Sequence, residues 1–160
     1  MRVADSLSPK KPSDKLTEHF SLRELTVTKT LLDNTPPPEM LGRLQKLAEL
    51  LERIRSLLGG HAIYVTSGYR SDEVNKAVGG ATTSSHRTGY AVDFTVPGFG
   101  TPTQVCRTIA ADPTIKFDQL IDERLGTRAW VHLSIDPKFR RQILTYRNGK
   151  YSKGLEGDGK

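Results

Sequence analysis

Two histidines and one aspartate are placed along the chain where they could bind a metal ion together. Residues 66–94, TSGYRSDEVNKAVGGATTSSHRTGYAVDF, put His86 seven residues before Asp93, and His132 follows later in the segment WVHLSI. In YAVDFTV and WVHLSI large apolar residues alternate with other residues, so Asp93 and His132 each lie on the polar face of a predicted β-strand. If these strands are neighbours, two imidazoles and one carboxylate converge. Three such ligands with an open fourth position are typical of a catalytic zinc site.

Each of these residues also has an interpretation that involves no metal. His86 fits an ordinary hydrogen-bonded loop histidine, Asp93 a solubilising residue at a strand edge, and His132 a buried histidine with a satisfied ring. The chain has four histidines, and the other two, His19 and His61, flank a predicted helix and are expected to be exposed. Spacing alone therefore leaves open both a metal site and a set of structural polar residues.

The elements that must position these residues are predicted from apolar periodicity and capping patterns. Residues 40–58 carry apolar side chains at helical spacing, and Gly59-Gly60 supply a left-handed stop, so we expect one long helix that supports the core. Thr101 and Gln104 have the form of a capping box that opens a further helix. AIYVTS, YAVDFTV, FDQLIDE and WVHLSI are strand-like, and a predicted hairpin, RLGTRA, joins the last two. The predicted fold class is α+β, with helices packed on a small, largely antiparallel sheet.

Length and composition indicate one soluble domain. The chain has 160 residues, 26% of them charged, and charges interrupt its longest apolar-leaning segment, so we expect no membrane insertion. We predict one domain over residues 15–146, a flexible arm over residues 1–14 and a flexible tail over residues 147–160. Cys106 is the only cysteine, which excludes an intrachain disulfide. The N-terminal segment lacks the apolar stretch of a secretory signal, so we expect a cytoplasmic location in the producing cell.

The net charge of +6 favours an anionic partner, and both nucleic acid and the bacterial envelope qualify. A basic surface that is simply solvated, and that does not attract a partner, fits the charge equally well. The basic residues are scattered, and no helix-turn-helix, aromatic sheet signature or basic stripe accompanies them. We therefore expect no nucleic-acid partner.

Several motifs in order make the chain resemble the zinc D-alanyl-D-alanine peptidase family, which includes cell-wall carboxypeptidases and peptidase endolysins of bacteriophages. The motifs are SGYR, SSHRTGYAVDF, FDQLIDE and WVHLSI, and the similarity covers roughly residues 16–137. The family signature Ser-x-His-x-x-Gly-x-Ala-x-Asp is matched by Ser84, His86, Gly89, Ala91 and Asp93. The resemblance implies a Hedgehog/DD-peptidase fold and one Zn²⁺ ion held by His86, Asp93 and His132.

The resemblance also suggests residues that bind substrate. Arg70 in SGYR matches a family arginine that contacts substrate, where a guanidinium would grip a stem-peptide carboxylate or stabilise the oxyanion. A structural arginine that pins the loop is the alternative. Ser84 either orders the His86 loop or touches substrate. Gln119 is a candidate to line the cleft, and Trp130 is either a cleft wall or part of the sheet packing.

The general base is predicted to be Glu123, at the end of FDQLIDE. Some family members carry an acid three residues before the last histidine, where this chain has Ala129. Glu123 matches an acid that related sequences place at the hairpin. Asp122 is the fallback, because the alternation in this strand does not fix which residue faces the site.

These expectations combine into a zinc metallopeptidase that cleaves peptidoglycan, in the manner of a phage-type endolysin acting on stem peptides or cross-links. The enzyme is expected to be a monomer that reaches the cell wall after the membrane is permeabilised. A D-alanyl-D-alanine carboxypeptidase is one alternative. The other is a catalytically silent, zinc-containing module that binds the cell wall, which the missing acid at Ala129 keeps open. The sequence does not fix which bond is cut.

Overall fold

The computed structural model describes residues 14–157, which form three α-helices, a short 3₁₀ turn at Glu24–Thr26 and six strands. The predicted arm over residues 1–14 lies outside the described residues except for Asp14. The helices are α1 (Pro38–Leu57), α2 (Asp72–Ala77) and α3 (Pro102–Ala110). The strands are β1 (Tyr64–Ser67), β2 (Ala91–Thr95), β3 (Gln119–Leu125), β4 (Arg128–Ser134), β5 (Gln142–Arg147) and β6 (Lys150–Lys153). The predicted α+β class is confirmed.

The six strands of the described chain form one sheet in the order β1-β2-β4-β3-β5-β6. Every neighbouring pair is antiparallel except β3 and β5, which are parallel, so the prediction of a largely antiparallel sheet is confirmed. The predicted hairpin joins β3 to β4, and Gly126 in its turn has a φ of 63°. This topology places β2 and β4 side by side, which is what the two strand-borne metal ligands require.

Helix α1 is the long helix that the periodicity predicts. It starts at Pro38, in the first turn, where the missing N–H costs no hydrogen bond. Beyond its end, Gly59 and Gly60 take φ values of 84° and 83°, which side-chain-bearing residues avoid. No helix within residues 14–157 is long and apolar enough to cross a membrane. The buried face of α1 consists of Leu44, Leu47, Ala48, Leu51 and Ile54.

The sheet has two distinct faces because side chains alternate along each strand. One face packs on α1 and α3 and contributes Val92, Phe94, Leu120, Val131 and Leu133 to the hydrophobic core. The other, here called the site face, carries Asp93, Ile121, Glu123, Trp130 and His132, which the strand pairing aligns. Helix α3 begins with the predicted capping box, in which Thr101 and Gln104 exchange side-chain-to-backbone hydrogen bonds. Asp93 therefore points away from the core, as the alternation predicts.

The prediction of a flexible tail from residue 147 is wrong for the part of it that the structure describes. The predicted domain end at residue 146 falls inside β5, and β6 pairs with β5 along its length. The two strands are joined by Asn148 and Gly149, both with positive φ, the left-handed pair of residues that a two-residue hairpin turn requires. Leu155 then returns to the hydrophobic core with only 6% of its surface exposed. Residues 158–160 lie outside the described range.

Candidate metal centre and active site

Three side chains converge on the site face at the β2–β4 pair. Asp93 and His132 are direct cross-strand partners, which places their side chains next to each other. His86 reaches the same point from the loop before β2. Its Nε2 lies 3.2 Å from Asp93 Oδ1, and His132 Nδ1 lies 2.9 Å from that same oxygen. One ligand atom from each residue lies within 4.8 Å of the other two, so the group can hold a metal ion.

Backbone contacts fix the orientation of His86. Its Nδ1 lies 2.7 Å from the carbonyl oxygen of Gly68, and a carbonyl can only accept, so Nδ1 carries the proton and Nε2 keeps its lone pair. Ser84 Oγ accepts the backbone N–H of His86, and the His86 carbonyl accepts the N–H of Arg70. A hydrogen-bonded second nitrogen is the usual support of a metal-binding histidine. Ser84 thus orders the loop, and its contact with substrate stays a prediction.

The charges in this cluster suit a metal ligand set. Burial alone would raise the pKa of Asp93, but His86 and His132 hold that pKa far below its usual value, so the carboxylate is ionised. Burial lowers the pKa of His86 and favours the neutral imidazole. Burial also acts to lower the pKa of His132, but the hydrogen bond to Asp93 and the charges of Asp93 and Glu123 together outweigh it and raise that pKa. A bound cation would displace the proton that His132 holds, since metal ligands are deprotonated.

The donor set fits zinc. Two imidazole nitrogens and one carboxylate oxygen are the ligand types that catalytic zinc sites use with a fourth position left open. The side chains of His86, Asp93 and His132 are 3%, 11% and 12% exposed, so the cluster is almost fully buried and touches solvent at Asp93 and His132. The geometry and the donor chemistry both favour a zinc centre.

Arg70 is aimed at the cluster by two polar neighbours. Its Nε donates to Ser67 Oγ at 3.1 Å and its Nη1 to Asn75 Oδ1 at 3.2 Å. The remaining nitrogen, Nη2, lies 3.6 Å from Asp93 Oδ2. The guanidinium is therefore held at the metal centre with one N–H-bearing edge facing it. No sequence pattern indicates this role for Ser67 or Asn75. Ser67 is one polar residue of the SGYR motif, and Asn75 is one polar residue on the short helix α2.

Glu123, and not Asp122, reaches the metal centre. Glu123 lies on the site face with Oε1 3.8 Å from His132 Nδ1. Burial raises the pKa of Glu123 to about 7; His132 and Arg70 oppose the rise, and Asp93 adds to it. Asp122 points into the core, fully buried, and accepts hydrogen bonds from Arg147 and Thr103. The geometry favours Glu123 over the fallback, and its catalytic role stays a prediction.

The comparison with protein families covers all of these residues. The sequence model of the peptidase M15 family matches residues 16–134, most of the chain, with the metal cluster, Arg70 and Glu123 inside the matched range. The chain belongs to the peptidase M15 family. M15 enzymes are zinc-dependent peptidases, in agreement with the donor set and with the predicted resemblance. No curated protein matches the chain.

The alanine at position 129 of this M15 peptidase does not deprive the site of a carboxylate. Ala129 lies three residues before His132 in the regular strand β4, and side chains an odd number of residues apart point to opposite faces of the sheet. A carboxylate at residue 129 would therefore point away from His132 here. The neighbouring strand β3 places the Glu123 carboxylate at the site instead. The absence of an acid at residue 129 is therefore not an argument against catalysis.

Two other predicted substrate contacts lie on the site face at different distances from the centre. Trp130 is the cross-strand partner of Glu123, and its indole Nε1 is buried without a hydrogen-bond partner among the described residues. Gln119 lies four residues from Glu123 along β3, about 13 Å away at 3.3 Å per residue, and donates to the side chain of Gln142 at 2.7 Å. Both roles in substrate binding stay predictions, and the position of Trp130 fits its role better.

Asn34 is a third residue, after Ser67 and Asn75, whose part in the site the sequence does not signal. Its amide donates to the carbonyls of Thr26 and Tyr69, and its Oδ1 accepts the N–H of Ser71, which brackets Arg70 on both sides. Asn34 is 8% exposed. One buried side chain thus anchors the loop that carries both Arg70 and the carbonyl of Gly68.

A substitution at Gly68 tests how strongly this loop affects stability and zinc binding. A Cβ at Gly68 would collide with the backbone carbonyl of Leu25, which has no room to move because it accepts the N–H of Tyr69 at 2.7 Å. We expect Gly68→Ala to lower the free energy of unfolding by about 1–3 kcal/mol, the usual cost of overpacking. It should also weaken zinc affinity, since the Gly68 carbonyl orients His86. Urea denaturation and a zinc titration measure the two effects.

Gly42 provides the matched control for this substitution. It lies within α1, and a Cβ there would meet nothing within 4 Å. Gly42→Ala is expected to stabilise the fold by about 0.5–1 kcal/mol, because alanine restricts the unfolded chain more than glycine does. Equal unfolding energies and zinc affinities for Gly68→Ala and the unmodified protein would contradict the role given to the loop.

Proposed function

We propose that this protein is a zinc-dependent peptidoglycan peptidase of the phage-endolysin type, which cleaves stem-peptide or cross-link bonds of the bacterial cell wall. The observation that carries the proposal is the cluster of His86, Asp93 and His132 with the Glu123 carboxylate 3.8 Å from His132. Membership of the M15 family supports a peptidase activity for this arrangement. The expected producing-cell cytoplasm, and access to the wall after membrane permeabilisation, belong to the same proposal.

The chain supplies each part that amide hydrolysis needs. His86, Asp93 and His132 would hold one zinc ion, which when bound polarises a carbonyl and makes water more acidic. Glu123 accepts a proton from the attacking water and returns it to the leaving amine, a task for which a pKa near 7 is suited. Arg70 offers an N–H donor beside Asp93, where it can bind a substrate carboxylate or the developing oxyanion.

The positive net charge fits a wall-degrading enzyme. A net charge of +6 favours approach to an anionic envelope, which is consistent with a peptidoglycan substrate. We propose an endopeptidase because breaking stem peptides or cross-links weakens the wall, whereas trimming a terminal residue leaves the mesh intact.

A D-alanyl-D-alanine carboxypeptidase is the second candidate, and Arg70 is the observation that favours it. A carboxypeptidase must bind the free carboxylate at the end of its substrate, and the Arg70 guanidinium is preset for such a contact by Ser67 and Asn75. The two candidates therefore differ in what Arg70 binds.

Digestion of purified peptidoglycan tests the proposal directly. The zinc-loaded protein is incubated with walls of several peptide compositions, new amino groups are counted, and the products are identified by mass spectrometry. Cleaved stem peptides or cross-links are the expected result, and release of free D-alanine alone would indicate the carboxypeptidase. Zinc bound at one equivalent with no product from any wall would reject both and leave the silent wall-binding module.

A further inference from the structure

The β5–β6 hairpin extends the site face of the sheet, although it lies beyond the region that the family comparison matches. The match ends at residue 134, and β5 and β6 begin at Gln142 and Lys150. Strand β5 pairs in parallel with β3, the strand that carries Glu123. The hairpin thus lies outside the matched range and next to the proposed general base.

Four side chains form a row across the sheet at the level of Glu123. Trp130 of β4 pairs with Glu123 of β3, Glu123 pairs with Tyr146 of β5, and Tyr146 pairs with Tyr151 of β6. Directly paired residues place their side chains on the same face, so all four lie on the site face. We call the three aromatic members of this row, Trp130, Tyr146 and Tyr151, the aromatic row.

The two tyrosines of the aromatic row form an accessible surface. Their ring centroids are 4.8 Å apart at an angle of 54°, and Tyr151 is 61% exposed. Burial raises the pKa of Tyr151, and the charges of Glu123, Tyr146 and Asp93 add to the rise. Because Tyr151 lies on the site face, the negative charges of Glu123 and Asp93 act on its hydroxyl group.

The spacing of the row matches a short peptide. Adjacent strands lie about 4.8 Å apart, so Tyr151 lies about 10 Å from Glu123, the reach of roughly three residues of extended peptide. A peptide that crosses the strands with its scissile bond at Glu123 passes over Tyr146 and then over Tyr151. Aromatic rings with one polar end suit such a surface, since they combine contact area with a hydrogen-bonding group.

We propose that Tyr146 and Tyr151 form a substrate subsite that binds the peptide two to three residues from the scissile bond, on one side of it. The proposal rests on the proposed peptidase function and goes further by giving the enzyme a requirement for substrate length. The hairpin, which the family match leaves out, would then set a specificity of this chain. Tyr151 and Tyr146 act here by positioning the substrate.

The kinetic test compares variants over peptides of graded length. Wall-derived peptides are extended by one to three residues on either side of the cleaved bond and assayed with the unmodified protein, Tyr151→Ala and Tyr151→Phe. The ratio of the KM of Tyr151→Ala to that of the unmodified protein should rise about three- to tenfold from short to long peptides in one direction of extension. Tyr151→Phe should stay within about twofold, because it keeps the ring.

Tyr64→Ala is the matched control. Tyr64 is 60% exposed, almost the same fraction as Tyr151, but it lies on β1 at the opposite edge of the sheet. Its KM should follow that of the unmodified protein for every peptide. A constant ratio for Tyr151→Ala over the whole series would overturn the subsite.

A binding measurement separates failure of the subsite from failure of the proposed function. Trp130 is the only tryptophan and lies beside Glu123, so its fluorescence reports peptide binding without turnover. Three-residue extended peptides are titrated into zinc-loaded Glu123→Gln and into the same protein carrying Tyr151→Ala. Weaker binding by the double variant supports the subsite even if the unmodified protein cleaves nothing, in which case only the peptidase proposal fails. Equal binding by both proteins rejects the subsite while leaving any observed cleavage intact.

Discussion

Replacing His132 with alanine is expected to abolish stoichiometric zinc binding and peptidase activity together. The substitution removes one of three protein ligands, so the loss in zinc affinity should exceed the about 10- to 100-fold that follows loss of a mere supporting partner of a ligand. Asp93 would keep His86 and Arg70 as partners, so the fold is expected to survive. Zinc content by elemental analysis, peptidoglycan hydrolysis and circular dichroism measure the three outcomes.

His61→Ala is the control for the His132 experiment. His61 is an exposed histidine outside the cluster, so its removal should leave zinc content and hydrolysis unchanged. Chelation of zinc from the unmodified protein should stop hydrolysis, and added zinc should restore it. His132→Ala that hydrolyses peptidoglycan at the unmodified rate without bound metal would refute the metal centre.

The face of the sheet on which Asp93 and His132 lie was predictable from the sequence, because it depends on alternation alone. Val92 and Phe94 must face the core, which sends Asp93 to the other side, and Val131 and Leu133 do the same for His132. His86 lies on a loop without periodicity, so its position depended on the family signature. The loop that orients it is fixed by the close approach of Gly68 to Leu25 and by the buried Asn34, contacts between distant segments that no local pattern encodes.

The choice between Glu123 and Asp122 needed the register of the sheet. Strand β3 carries buried apolar residues on both faces, Leu120 in the core and Ile121 on the site face, so its alternation is ambiguous. Pairing with β4 resolves it, because Ile121 lies opposite His132. The C-terminal hairpin, by contrast, had a local signal in Asn148-Gly149. A high content of glycine and charge concealed it, since the same residues are typical of a fraying end.

The two faces of the sheet have separate tasks: one packs the core and the other positions the residues of the site. The core face buries large apolar side chains under α1 and α3, while the site face places Asp93, His132 and Glu123 on three adjacent strands. Backbone hydrogen bonds between these strands fix the distances among the side chains. Only His86 and Arg70 come from the connecting segment, where the bonds to Gly68, Ser67 and Asn75 hold them.

Glu123→Gln is expected to retain zinc and lower kcat by about 10²- to 10⁴-fold, the usual contribution of a general acid or base. Glutamine keeps the size of the side chain but cannot accept a proton, and Glu123 is not among the three ligands. Asp122→Asn tests the alternative base. It should lower the free energy of unfolding by disturbing the ion pair between the buried Asp122 carboxylate and Arg147, with far less effect on kcat. The reverse pattern, an active Glu123→Gln and an inactive but stable Asp122→Asn, would move the base to Asp122.

The pH profile gives this prediction a second readout. Only the ionised Glu123 accepts a proton, so kcat/KM should fall as the pH drops through the pKa of this group. That pKa is about 7 without a metal, and a bound cation favours the carboxylate and lowers it, so the midpoint of the acidic limb should lie at or below about 7. The residual activity of Glu123→Gln should lack this limb. If the limb persists unchanged in Glu123→Gln while zinc remains bound, another group is the base, because removing the titrating carboxylate must remove its titration.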